Sequence, residues 1–278
     1  MSLAVLGANI SSGAVFAQSI ISLRKPSGGI PRLNTFVLHA TNKGAGVAIT
    51  ERKVKRDPFS SLSLEQQCVH LGIALEVILM QRTPAGWTYW GRGDGKPESA
   101  ALACFMDQGF HGNCCEGAAP LMLMKCAALN FLARVNTFNS RSDACMRYFE
   151  AQCSIFQCHA NDIVAEIQGA TETDICRHFA EIRSEANYRS LYPEINVDGL
   201  VALWNAIGAE GWARIAEAFI QAPYHYRAGW PDISIARGDQ LRFVEVKTTD
   251  KLHLSQKQTI SDLLLPLGLS VSVVKLTG

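Results

Sequence analysis

The chain lacks a charge excess: 26 Lys and Arg against 25 Asp and Glu leave a formal net charge of +1 over 278 residues. No global basic field draws in nucleic acid, so any such binding needs a local patch. RKVKR, Arg52 to Arg56, is one such patch, and its plainer reading is a solvated linker or loop. Paired C-x-x-C spacing is absent as well. The nine cysteines, Cys68, Cys104, Cys114, Cys115, Cys126, Cys145, Cys153, Cys158 and Cys176, are odd in number. Most lie in apolar runs such as LMLMKCAAL, where a reduced thiol serves as a small core residue, which favours a reducing compartment. A zinc or iron-sulfur site built on Cys153, Cys158 and His159 is the lesser alternative. Internal repeats and low-complexity tracts are missing, and no segment is expected to be long and apolar enough to span a bilayer. Before its first charge at Arg24 the amino terminus has no basic region, and Asn9, Ser11, Ser12 and Gly13 interrupt its apolar run. Despite VFA at Val15 to Ala17 it therefore reads as a strand, arm or linker rather than a signal sequence.

What is present falls into an amino-terminal extension, residues 1–60, and a domain over 61–278. The extension is rich in Gly, Ser, Thr and Val, with a strand expected at Thr35 to His39. Ser63 opens a helix through the S-x-x-Q capping box with Gln66, and apolar residues continue through Val69, Ile73, Leu75, Val77 and Leu79. GWTYWGRGDGKPE, Gly86 to Glu98, reads as a turn-rich connection whose aromatics pack across a loop or stack on bases. Residues 99–222 are mainly helical: ALACFMDQ, a long apolar helix from about Ala118 to Arg134, ACMRYFEAQCSIF, LVALWNAIG and WARIAEAFI. From 226 to 278 the pattern becomes hairpin, helix, strand. Ile233 and Ile235 alternate with Asp232, Ser234 and Ala236, LRFVEVK follows a turn at Arg237 to Gln240, Ser255 and Gln258 form a second capping box, and LSVSVVKL closes parallel to the preceding strand.

The hairpin carries charges in an apolar setting. Residues two apart on a strand share a face, so Glu245 and Lys247 lie side by side while Val244 and Val246 face away. Asp232, near the start of one strand, reaches the same hairpin end as Glu245, near the end of its partner. Two carboxylates with the Val246 backbone carbonyl make an all-oxygen site suited to magnesium or manganese, and Lys247 beside them can neutralise charge developing on a phosphoryl group. The plainer reading is a hairpin edge carrying solubilising charges.

Pro231 and Asp232 followed by Glu245-Val246-Lys247 resemble the PD-(D/E)xK nuclease motif. The run RAGWPDISIARGDQLRFVEVKTTDKLHLSQKQ is similar to the VRR-NUC (virus-type replication-repair nuclease) domain, and GFHGNCCEG resembles the glutamate motif of the Fanconi-anaemia-associated nucleases. The specific part spans Arg227 to Gln258 within a looser likeness over Leu64 to Leu276. The resemblance implies an α/β, restriction-endonuclease-like PD-(D/E)xK core, a mixed sheet flanked by helices, with a large helical portion. It implies a Mg2+- or Mn2+-dependent DNA endonuclease with Asp232 and Glu245 as metal ligands, Glu116 as a further ligand, Lys247 as the catalytic lysine and Gln258 as an orienting or substrate-contacting residue. Glu116 and Gln258 also have plain roles open to them, as a carboxylate at a helix start and as part of a cap. Arg227, Lys251, His253 and Lys257 are the candidate DNA contacts. Similar domains occur as DNase ends of secreted antibacterial effectors, which would add delivery into a target cell, action in its cytoplasm and a cognate immunity protein. The alternatives are a repair or replication nuclease and a catalytically silent module that binds nucleic acid or protein.

Overall fold

The structure is a computed structural model that describes residues 57–136, 140–185 and 194–278, with two short strands before them, β1 (Ile20–Ile21) and β2 (Thr35–Phe36). The chain divides into two compact units, Met1–Arg56 and Asp57–Gly278. In the first, β1 and β2 pair antiparallel. Arg52 to Arg56 lie outside the described residues.

The second unit starts on the expected capping box: Ser63 Oγ accepts from the Gln66 amide at 3.2 Å and Gln66 Oε1 from the Ser63 amide at 2.9 Å. Helix α1 (Leu64–Leu71) is shorter than the apolar pattern suggested, because Gly72 takes a left-handed φ of 69° and ends it. Leu75, Val77 and Leu79 therefore belong to a strand, β3 (Ala74–Leu79). The turn-rich connection is a correction too. It folds into a small antiparallel sheet of β4 (Gln81–Thr83), β5 (Gly86–Tyr89) and β6 (Arg92–Gly95).

Helix α2 (Pro97–Asp107) begins on a proline, whose missing amide costs nothing in the first turn. A strand that the sequence reading placed among helices follows, β7 (His111–Cys114). Helix α3 (Ala118–Val135) is 18 residues long with a mean hydropathy of 1.3, so among the described residues one helix is, by length and composition alone, apolar enough to cross a membrane, contrary to expectation. Its Leu123, Met124, Cys126, Ala128, Leu129 and Leu132 are fully buried against the other helices, as in the core helix of a globular domain. The stretch expected as one helix is broken at Arg147 into α4 (Arg141–Met146) and α5 (Phe149–Ile155). Next come α6 (Ala160–Gly169), α7 (Glu172–Ser184) and α8 (Val197–Ile220), the last interrupted at Gly208. The chain ends in β8 (Ile233–Arg237), β9 (Gln240–Lys247), α9 (Leu254–Thr259) and β10 (Ser270–Thr277).

The five-stranded sheet has the order β3-β10-β9-β8-β7. Strand β10 is parallel to both β3 and β9, as the hairpin-helix-strand reading required, and β7, β8 and β9 run antiparallel. One face buries Ile233, Ile235, Val244, Val246 and Val274 with Ala101 and Phe105 of α2. The other buries Ala236, Leu241, Phe243, Val271 and Val273 against the large helical layer. The expected α/β class, a mixed sheet flanked by helices with a large helical portion, is the one observed.

Candidate active site

The register of β8 on β9 sets Ile233 opposite Val244, so Asp232, just before β8, falls beside Glu245. The chain is led there by GWPD. Trp230 is buried, donates from Nε1 to the Tyr226 carbonyl at 2.6 Å and packs its ring on Phe243. Gly229 has φ 85°, and a β-carbon there would lie 2.1 Å from the Ser255 carbonyl oxygen, so only glycine permits this approach to the start of α9. Pro231 and the paired strand then fix Asp232, whose Oδ2 accepts the Val246 amide at 2.8 Å.

Glu245 is completely buried, and on one side its carboxylate is saturated: Oε1 meets Lys247 Nζ at 2.7 Å and Gln256 Nε2 at 2.5 Å. Its other oxygen, Oε2, is buried and receives no donor, while the Asp232 carboxyl lies within hydrogen-bonding reach of the Glu245 carboxyl, the two able to share a proton when no cation is bound. Lys247 is nearly as buried and also meets Asp250 at 3.3 Å. Burial lifts Asp232 above the usual carboxylate range, helped by the negative charge of Glu98, while the Val246 amide pulls the other way. Burial and then the charge of Asp232 lift Glu245. Burial opposes the Lys247 ammonium, yet the neighbouring carboxylates outweigh it and hold its pKa above the usual lysine value.

Two of the sequence-predicted residues stand differently. The second capping box is displaced by two positions: the helix cap is His253, and Gln256 Oε1 accepts the His253 amide at 2.9 Å. Gln256 therefore reaches the site, whereas Gln258, half-buried, is two residues or about 200° further round the helix. Glu116 has a left-handed φ of 49°, and its amide donates to the Asp232 carbonyl at 3.1 Å, which anchors the two residues through their backbones. Its exposed side chain lines a cavity of about 160 Å³ with Tyr148, Glu150 and Arg227. The third carboxylate whose field is felt at Asp232 is Glu98, in the first turn of α2. Neither Glu98 nor Gln256 stands out in the sequence as a site residue. A glutamate after the first-turn proline was the signal for one, and H-x-x-Q beside S-x-x-Q for the other.

The candidate DNA contacts are unequal. Arg227 is exposed and lies over the Tyr224 ring, and His253 is exposed at its cap. Lys251 donates to the Leu62 carbonyl at 2.6 Å, and Lys257 is paired with Asp57 at 3.1 Å, so both are already engaged. Cys153 is fully buried whereas Cys158 is exposed, and burial pushes the Cys153 thiol up, away from the thiolate a metal needs. Among the described residues no group of three or more His, Cys, Asp and Glu side chains is placed to hold a metal ion.

A divalent cation nevertheless fits the pair formed by Asp232 and Glu245. When both are ionised, the buried Glu245 and half-buried Asp232 carboxylates face one buried ammonium, which leaves a negative charge for a cation to compensate, and Glu245 Oε2 is an oxygen that receives no donor. Magnesium is commonly held by one or two carboxylates, with waters and phosphate oxygens completing its shell.

No protein-family model and no curated protein sequence matches the chain. Among solved structures it is similar to paFAN1 bound to 2nt 5'flap DNA with gap, at 14% identity and a TM-score of 0.49, over 76% of this chain and 41% of that one. It is similar also to paFAN1 bound to 1nt 5'flap DNA with gap, at 15% identity and a TM-score of 0.44, again over 76% and 41%. The chain thus spans less than half the length of the solved chains it resembles.

Proposed function

We propose that the protein is a divalent-metal-dependent nuclease that hydrolyses phosphodiester bonds in DNA. The observation that carries this reading is the cluster of buried Glu245 and Lys247 with half-buried Asp232, in which one oxygen of Glu245 receives no hydrogen-bond donor. A solubilising hairpin edge does not bury its charges. Asp232 and Glu245 are the residues that would hold magnesium or manganese, with the Val246 carbonyl and an acid, Glu116 or Glu98, as further donors. The cation, when bound, supplies charge neutralisation at a phosphoryl oxygen and a lowered pKa for its water. The chain's own part is to position and to balance charge. Lys247, held protonated, places an ammonium beside the carboxylates, where it stabilises negative charge growing on phosphorus. Arg227 and His253 offer the exposed positive or hydrogen-bonding groups along which a strand would lie.

The test is Asp232→Ala measured on DNA with metal present: cleavage is lost, and retained cleavage would refute the assignment. Growth on expression separates the two settings for such an enzyme. An antibacterial effector, acting in the cytoplasm of its target and countered by an immunity protein, kills cells when expressed and is harmless as Asp232→Ala. A repair or replication nuclease leaves growth unchanged in both forms.

A further inference from the structure

We infer that Gln256 is the positioning residue of this site, orienting Glu245 so that one carboxylate oxygen is saturated and the other is left for a cation. The inference rests on the nuclease reading. The direction of the Gln256 amide is set at both ends. Its carbonyl oxygen accepts the His253 amide at 2.9 Å, and its nitrogen therefore faces Glu245 Oε1 at 2.5 Å. Flipping the group would set oxygen against a carboxylate and an NH2 against an amide N–H, which loses both bonds. Lys247 approaches the same Oε1 at 2.7 Å. Two donors on Oε1 hold the carboxylate in one rotation, with the buried Oε2 receiving no donor and the Asp232 carboxyl beside it.

The same helix start also governs the second carboxylate. The Ser255 carbonyl is the atom that Gly229 packs against, and Gly229 leads through Trp230 and Pro231 into Asp232. The first turn of α9 thus touches the approach to Asp232 through Ser255 and the head of Glu245 through Gln256, which ties the spacing of the two carboxylates to one rigid element. Partners that orient a metal-binding carboxylate typically contribute about 10- to 100-fold to metal affinity.

Two variants separate this role from helix capping. Gln256→Met keeps the bulk and removes both hydrogen bonds. Gln256→Glu keeps the oxygen that caps His253 but replaces the donor to Glu245 with an acceptor. Manganese binding is measured by titration calorimetry, DNA cleavage is followed alongside, and thermal melting shows that each variant is folded. Both are expected to bind manganese about 10- to 100-fold more weakly than wild type, with cleavage reduced in step. A pure capping role would lower the melting temperature of Gln256→Met and leave manganese affinity unchanged, with Gln256→Glu like wild type. Wild-type manganese affinity in either folded variant overturns the inference. If the wild-type protein binds no manganese and cuts no DNA, the nuclease reading fails first and takes this inference with it, a result visible before any variant is made.

Discussion

Asp232 and Glu245 are held where ionising them is costly, and the sign of that cost is testable. Both pKa values are raised on folding, so between the ordinary and the raised values the folded state binds more protons than the unfolded one. Stability of the metal-free protein therefore falls as pH rises through that window. Glu245→Gln is expected to raise the melting temperature of the metal-free protein at about pH 8 and to change it little at about pH 5; an equal shift at both would show that ionisation of Glu245 is not the cause. Lys247→Met should reduce turnover by about 10²-fold or more, the scale for losing a transition-state charge partner, and by more than it weakens metal binding. Metal affinity falling as far as turnover would reassign Lys247 to building the site. At this scale the meeting of Asp232, Glu245 and Lys247 was legible because alternation on a strand puts Glu245 and Lys247 on one face. Gln256 was not, because LHLSQKQ contains two overlapping cap spacings, and only the path of the chain decides between His253 with Gln256 and Ser255 with Gln258. Glu98 was hidden for another reason: its nearness to Asp232 joins residues far apart in sequence.

The GWPD lead and the start of α9 meet at one close contact, which makes Gly229 the sharpest test among the elements. Gly229→Ala places a β-carbon on the Ser255 carbonyl and a side chain at φ 85°, and a strained backbone of this kind costs on the order of 1–3 kcal/mol before the clash is added. We predict a clear fall in melting temperature together with loss of cleavage; an unchanged melting curve would mean that the lead can relax without cost. The hairpin of β8 and β9 could be read from sequence because its period of two is unbroken on both sides of a tight turn. Strand β3 is masked in the sequence because Val69, Ile73, Leu75, Val77 and Leu79 satisfy a helical start and a strand finish at once, and the left-handed turn at Gly72 separates them. HGNC gave no sign of β7, being four residues with little apolar content. It is a strand because β8 offers an edge, with His111 to Cys114 opposite Ala236 to Ile233.

Across the second unit the five-stranded sheet divides two cores and sets its charged corner against the larger, helical one, beneath α9. A net charge of +1 gives that corner no long-range field to draw on. Of the four candidate contacts, Lys251 and Lys257 are already held by Leu62 and Asp57, which leaves Arg227 and His253 to meet phosphates. DNA affinity is expected to fall with added salt at a log-log slope of about −2 to −3, given about −0.9 per phosphate on duplex DNA. A slope steeper than about −6 would call for a basic surface beyond the residues named. The central claim is that the buried charges exist to hydrolyse a phosphodiester. It is tested most directly by incubating the purified protein with supercoiled plasmid and manganese or magnesium, alongside EDTA and Glu245→Ala controls. Nicking or linearisation that requires the metal and disappears in the variant is the expected result. Cleavage surviving Glu245→Ala, or none on plasmid, flap or single-stranded DNA with either metal, would contradict it.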